Sequence, residues 1–222
     1  MRLAFEGSGL YIEFEENRIE QLIIEHPGCF RGVLSEMLRQ ADGHDGKFIL
    51  SKDDKILDFS KNVALIYNLF ELDSNRKKLI NRLYEKLKKR IFESDLHMRY
   101  QSILADMERF VNDLEGLSEY MLQYSLDIDV THFLKFMDVR IAEEEQTFLE
   151  RLSDHLKLLV DLLGVELIIL VNLRSCLDEA EAVQLYEMIN YYKIPVLLLE
   201  SAEREMIKYE HRYIIDSDLC II

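Results

Sequence analysis

The chain has little that interrupts regular structure. Two prolines and eight glycines among 222 residues argue against long disordered linkers. The three cysteines, Cys29, Cys176 and Cys220, are scattered and lack Cys-x-x-Cys spacing. They read as small buried hydrophobes in a reducing cytosol. No apolar run approaches the roughly 18 residues of a membrane span, and the opening Met-Arg-Leu-Ala-Phe-Glu-Gly carries an acid too early for a signal peptide. A soluble, cytoplasmic protein with no membrane partner is expected. Positive charge is also scarce: Lys and Arg number 27 against 42 Asp and Glu, a formal net charge of −15. The molecule as a whole should therefore repel nucleic acid and anionic membranes. Any DNA binding would have to come from a concentrated basic patch.

Catalytic signatures are missing too. The six histidines (His26, His44, His97, His132, His155 and His211) share no metal-like spacing. There is no Gly-x-Ser-x-Gly and no clear acid–base pair. Nothing demands an enzyme. A phosphate-binding loop needs G-x-x-x-x-G-K-[ST], because glycine amides face the phosphates and lysine reaches them. Residues 21–24 form a short apolar strand. After it, Glu25-His26-Pro27-Gly28 opens a helix with apolar positions at Phe30, Val33, Leu34, Met37 and Leu38. That is the right setting, but no lysine or serine stands at the right spacing. The decoy Gly43-His-Asp-Gly46-Lys47-Phe48 has Phe where the hydroxyl belongs, and it leads into a strand.

What is present is a core. Apolar residues make up 49% of the chain, enough for one ordinary domain or a sheet domain with a helical appendage. The run Val165, Leu167, Ile168, Ile169, Leu170, Val171 has no polar alternation, as in a strand covered on both faces of a parallel sheet. A helical pattern over 178–192 and a second apolar strand at 196–199 complete a βαβ unit with an expected right-handed crossover. Strand ends in such sheets carry the chemistry; here they present Asn172, Arg174, Ser175, Glu200 and Ser201. A nucleotide hydrolase places an aspartate and an acid there for magnesium, and Asn172 is a poor substitute. Upstream, residues 1–6 and 10–15 predict a hairpin around Gly7-Ser-Gly9, and 48–50 with 56–59 predict another. Residues 62–72 predict a strand or short helix, and 212–215 with 219–222 one or two short strands.

The middle of the chain reads as almost wholly helical. Leu79, Leu83, Leu87 and Ile91 make one stripe, capped by Asp73 or Ser74; Met107, Phe110, Leu114, Leu117 and Met121 make a coiled-coil-like seam; Phe148, Leu152, Leu156, Leu159 and Leu163 make a third, ended by Gly164. The expected fold is α/β with a parallel-sheet core: residues 1–74 and 164–222 as the two halves of a head, and 75–163 as an inserted all-helical leg whose first helix could pack on the head.

Residues 75–100 carry nine cations against three anions, a net of +6, which leaves −21 for the remainder. Lys78, Arg82 and Lys86 are spaced by four, with Lys77 and Lys89 beside them. Such a column can follow a duplex backbone in a salt-dependent, sequence-independent way. It can equally be the solvated face of an amphipathic helix. A second cluster, Asp127, Asp129, Asp138, Glu143, Glu144 and Glu145, offers hard oxygen ligands suited to calcium or magnesium, or acids that favour a helix N-terminus.

Three segments carry a resemblance: Leu167-Ile-Ile-Leu-Val-Asn-Leu-Arg-Ser175, Asn190-Tyr-Tyr-Lys-Ile-Pro-Val-Leu-Leu-Leu-Glu200 and Arg212-Tyr-Ile-Ile-Asp-Ser-Asp-Leu-Cys220. Together with Ile24-Glu-His-Pro, Lys47-Phe-Ile-Leu-Ser51 and Asn75-Arg-Lys-Lys-Leu-Ile-Asn-Arg-Leu-Tyr84, the chain resembles the Csn-two family of CRISPR-associated proteins. The resemblance implies an ABC-ATPase-like head with a degenerate phosphate loop. It implies a calcium-stabilised homotetrameric ring that holds the ends of linear double-stranded DNA. The role would be non-catalytic, in type II-A spacer acquisition beside the CRISPR integrase complex and the effector nuclease. By position, DNA contacts would fall on Lys77, Lys78, Arg82 and Lys86, and calcium on Asp127, Asp129, Glu143, Glu144 and Glu145. The alternative is a degenerate or unconventional nucleotide hydrolase.

Overall fold

The computed structural model describes residues 1–142 and 146–221. In chain order the elements are β1 (Arg2–Phe5), β2 (Leu10–Glu13), β3 (Ile19–Ile24), α1 (Pro27–Ala41), β4 (Phe48–Lys52), β5 (Lys55–Leu57), α2 (Phe59–Asn62), β6 (Val63–Ile66), α3 (Lys77–Phe92), α4 (Leu96–Glu115), α5 (Val130–Phe136) and α6 (Phe148–Leu163). Then follow β7 (Leu167–Val171), a 3-10 turn (Leu173–Ser175), α7 (Glu179–Tyr191), β8 (Val196–Glu200) and β9 (Glu210–Ile215). They divide into a sheet unit, Met1–Ser74 with Glu143–Ile222, and a helical unit, Asn75–Ala142.

The sheet unit is mixed α/β. Its centre is a five-stranded parallel sheet in the order β6-β7-β8-β3-β9. Strand β7 is buried throughout because it is covered on both faces, as its unbroken apolar run predicts. Ile168 and Leu170 of β7, with Val196 and Leu198 of β8, face a core that holds Leu152, Leu156 and Leu159 of α6 and Leu185, Tyr186 and Ile189 of α7. Their alternates, Leu167, Ile169, Val171, Leu197 and Leu199, face a second core with Val33 and Met37 of α1. This second core also takes Leu3, Leu10, Ile12, Phe48 and Leu50 from a four-stranded antiparallel sheet, β2-β1-β4-β5. Both predicted hairpins therefore join one sheet. The β4–β5 turn places Asp53 and Asp54 at φ 51° and 59°, the left-handed pair that a tight hairpin turn requires and aspartate tolerates.

The helical unit has a small core of Tyr84, Tyr100, Val130 and Leu134, flanked by Ile80, Leu87 and Ile91 of α3. Tyrosine hydroxyls tie it to backbone: Tyr84 donates to Val139 O at 2.9 Å, and Tyr100 donates to Ile128 O.

Several expectations are corrected. The helical unit ends at Ala142, not 163: the α6 stripe is buried in the sheet core, so α6 belongs to the sheet unit. Residues 116–129 are not helical. α4 stops at Glu115, so the 107–121 seam is broken, and Leu117 and Met121 are 85% and 96% exposed. At the start of α3, Arg76 occupies the N-cap with no side-chain hydrogen bond, in place of Asp73 or Ser74. Cys176 and Cys220 are exposed and Cys29 is half-buried, not buried as expected. Beyond β9, among the described residues, the tail makes a single bridge, Ile215 to Ile221. Among the described residues no helix is long and apolar enough to cross a membrane.

Candidate nucleic-acid interface

The carboxyl ends of the parallel strands come first, because the chemistry of such sheets gathers there. Strand β3 ends at Ile24 and α1 starts at Pro27, so only Glu25 and His26 connect them. His26 Nδ1 accepts the Cys29 N–H at 3.2 Å, and Pro27 supplies no N–H. A glycine-rich phosphate loop has no length of chain to occupy.

At the end of β7, Asn172 adopts a left-handed conformation, φ 54°. Its Oδ1 accepts from Ser201 N at 3.0 Å and Ser201 Oγ at 2.9 Å. The Glu200 carboxylate accepts the Arg174 N–H at 3.0 Å. Burial pushes the Glu200 carboxyl up to about 7, against the opposing pull of that N–H and of the Arg174 charge.

Nearby lies a buried charge network. Arg174 Nε stands 2.9 Å from Glu210 Oε1, at an angle that falls short of a hydrogen bond. Arg212 Nη2 donates to Glu210 Oε2 at 3.1 Å, Tyr186 OH donates to Oε1 at 3.0 Å, and the Ile207 N–H donates to Oε2 at 3.1 Å. Burial, ahead of the adjacent Glu210 charge, drives the Tyr186 hydroxyl pKa far upward. Sequence reasoning named Arg174 as a strand-end group but gave no such role to the other three, since a lone Glu and Arg in a polar stretch look like surface charge and Tyr186 reads as one of the apolar positions of its helix. At the carboxyl ends of β7 and β8, Asn172 with Ser201 and the Arg174 N–H with Glu200 are engaged with one another.

The second region is α3. Its apolar side packs into the helical unit, so its charged side faces out. Lys77, Lys78 and Arg82 are exposed, and Lys86 is half-buried. Arg82 pairs with Glu85 at 2.6 Å, Lys88 with Asp129 at 3.0 Å and Lys89 with Glu93 at 3.8 Å. None of Lys77, Lys78 and Lys86 forms an ion pair with another described residue. The first turn of α3 contains no acid and instead follows Arg76 with Lys77 and Lys78. Cations at the positive end of a helix macrodipole cost about 0.3–1 kcal/mol each, so these charges do not stabilise α3 through its dipole.

The predicted metal acids are not drawn together among the described residues, where no three His, Cys, Asp or Glu side chains converge as ligands. Asp127 is exposed. Asp129 is the N-cap of α5: its Oδ1 accepts the His132 N–H at 2.8 Å, and Oδ2 takes Lys88. The His132 N–H, then Lys88, hold its carboxyl below the usual range. Glu143, Glu144 and Glu145 lie outside the described residues.

A family model described as CRISPR-associated protein (Cas_Csn2) matches residues 40–219. The chain belongs to this family. A CRISPR-associated role follows for the Csn2 chain at that level. No curated protein matches it. Among solved structures it is similar to the ADP conformation of MJ1267, an ATP-binding cassette of an ABC transporter, with a TM-score of 0.46 and 10% identity over 96% of this chain and 85% of that one.

Proposed function

We propose that this Csn2 family member binds linear double-stranded DNA, ends included, through the phosphate backbone and without catalysis. The observation that carries the reading is the outward face of α3, with exposed cations that have no described ion-pair partner and a first turn lacking any acid. The chain as a whole is at −15, so a lone subunit is a poor polyanion ligand. Four copies in a homotetrameric ring with the α3 faces turned inward would concentrate positive potential, while acidic outer faces keep stray DNA away. Support for assembly comes from α4, where Leu96, Ile103, Phe110 and Leu114 are exposed at coiled-coil spacing, an apolar stripe that a monomer rarely leaves bare. Calcium is the proposed cofactor, offsetting repulsion among Asp127, Asp129, Glu143, Glu144 and Glu145. Asp129 is the weakest member of that set, since capping and Lys88 already occupy it.

The head is proposed as an ABC-ATPase-like scaffold that has lost its phosphate loop, a reading supported by the two-residue β3–α1 connection and by Asn172. The family role would be spacer acquisition in type II-A immunity beside the integrase complex and the effector nuclease. A gel shift comparing linear with closed circular duplex, with and without calcium, tests the binding. Lys77/Lys78/Arg82→Glu should lower linear-duplex affinity by more than about tenfold and flatten its salt dependence; unchanged binding would remove α3 from the interface.

One observation favours a second reading, an unconventional nucleotide hydrolase. Glu200 is buried at a strand end with its carboxyl near neutrality, as a general base would be. ATP turnover abolished by Asn172→Ala or Glu200→Gln would establish that reading in place of the first.

A further inference from the structure

Along α3, positions 78, 82, 85, 89 and 92 succeed one another at alternating spacings of four and three, so they form one row on the helix. All five residues are exposed. Four are charged: Lys78, Arg82, Glu85 and Lys89. The fifth is Phe92, the last residue of the helix, with 52% of its surface exposed. Phe92 is not needed for the unit's own packing, because Ile80, Tyr84, Leu87 and Ile91 fill that core from the opposite side of α3. Behind it lies the ring of His97, centroid to centroid 4.9 Å and tilted 39°, so an aromatic face is held in place at the end of a row of charges.

We propose that Phe92 is an end sensor, stacking on the terminal base pair of an open duplex whose backbone runs along this row. The inference rests on the duplex-binding reading of α3 and adds a contact which that reading does not require. From Lys78 to Phe92 the helix rises roughly 21 Å, about six base-pair steps of B-form DNA. Backbone contacts along that length are the same for linear and closed DNA. An exposed base-pair face exists only where the duplex stops, and stacking accepts any base because each has a π face. Lys78, with no described ion-pair partner, holds the strand together with Arg82 and Lys89, whose exposed pairs with Glu85 at 2.6 Å and Glu93 at 3.8 Å exchange for phosphate, and Phe92 registers its end.

The test uses the full chain and two probes of one sequence: a blunt duplex with open ends, and the same duplex with both ends closed by hairpin loops. Wild type binds the open form more tightly. Phe92→Ala weakens open-duplex binding by about fivefold or more and leaves the closed form unchanged. Phe92→Tyr retains the preference, whereas Phe92→Leu, apolar but without a ring, loses it. With 2-aminopurine as the terminal base, wild type changes the probe's fluorescence and Phe92→Ala does not. The proposal is overturned if Phe92→Ala weakens both probes equally, affects neither, or changes the mass of the assembly in light scattering, since Phe92 would then be a structural or subunit contact. If wild type binds neither probe, the duplex reading falls, and this inference with it. End preference that survives Phe92→Ala sinks this inference alone.

Discussion

The sheet unit and the helical unit solve the problem of burial differently. The sheet unit covers both faces of a five-stranded sheet, and β3, β7 and β8 are buried at every position. One group of its charges, Glu210 with Arg174 and Arg212, is internal and paired. The helical unit gathers its core around two tyrosines, a valine and a leucine and leaves Phe92, Ile103, Phe110 and Leu114 exposed. Ile56, Phe70 and Tyr191 are exposed on the sheet unit as well, so the difference lies in the depth of the core. The unit with the shallower core, which also carries the chain's densest positive charge, is where binding and assembly are to be sought.

The sharpest break of that comparison is Glu210→Ala. It leaves the buried Arg174 guanidinium without its ion-pair partner, while Arg212 keeps Glu203 and Gln21, and should cost about 3–5 kcal/mol in urea unfolding; a cost below about 1 kcal/mol would mean that the network is not a structural part of the sheet unit. Leu156→Ala should follow at about 3 kcal/mol, because α6 is buried against the sheet. If it instead loosened only the helical unit in hydrogen exchange, α6 would have to return to that unit.

Glu200 gives a pH-dependent effect of similar ceiling. Its folded carboxyl, at about 7, lies above the unfolded value of about 4.3, so the native state binds the extra proton between them. Stability should then fall as pH rises through that window, by roughly 4 kcal/mol at most, and level off above it. Glu200→Gln can still accept the Arg174 N–H; it should leave Tm unchanged near pH 4 and raise it at pH 8. A Tm difference independent of pH would contradict the burial assigned to this group. The smallest effect is Tyr84→Phe, which removes the hydrogen bond to Val139 O for about 1 kcal/mol. Exchange should quicken in α3 and α5 only, and equal quickening in β7 and β8 would erase the distinction between the units.

Legibility followed how local each signal was. The β7–α7–β8 segment could be read because its unbroken apolar runs and the helical spacing between them all act within a few residues; the structure adds a capping box at Asp178. The α6 stripe and its Gly164 stop, in a left-handed conformation at φ 64°, were equally plain, but the stripe says only that one face is apolar. It does not say which surface covers that face. The 107–121 seam misled for the same reason: its spacing runs on past Gly116, while the helix ends and no described residue covers Leu117 or Met121. Asp129 shows a different limit. A carboxylate two residues from another acid can ligate a metal or cap a helix, and the choice depends on whether a helix starts at Val130 and whether Lys88, 41 positions away, reaches it.

The sequence alone determined which segments are buried on both sides, where the cations gather, and that no phosphate loop follows β3, since each depends on neighbouring residues. Tertiary structure decided which sheet face α6 covers, that Glu210 joins two arginines inside the fold, and that the N-terminal hairpin meets the last strand, where the Glu13 N–H donates to the Tyr213 hydroxyl at 3.3 Å across 200 residues. Local pattern sets the character of a surface. Only the closed chain, by bringing distant surfaces together and removing water between them, selects the partner.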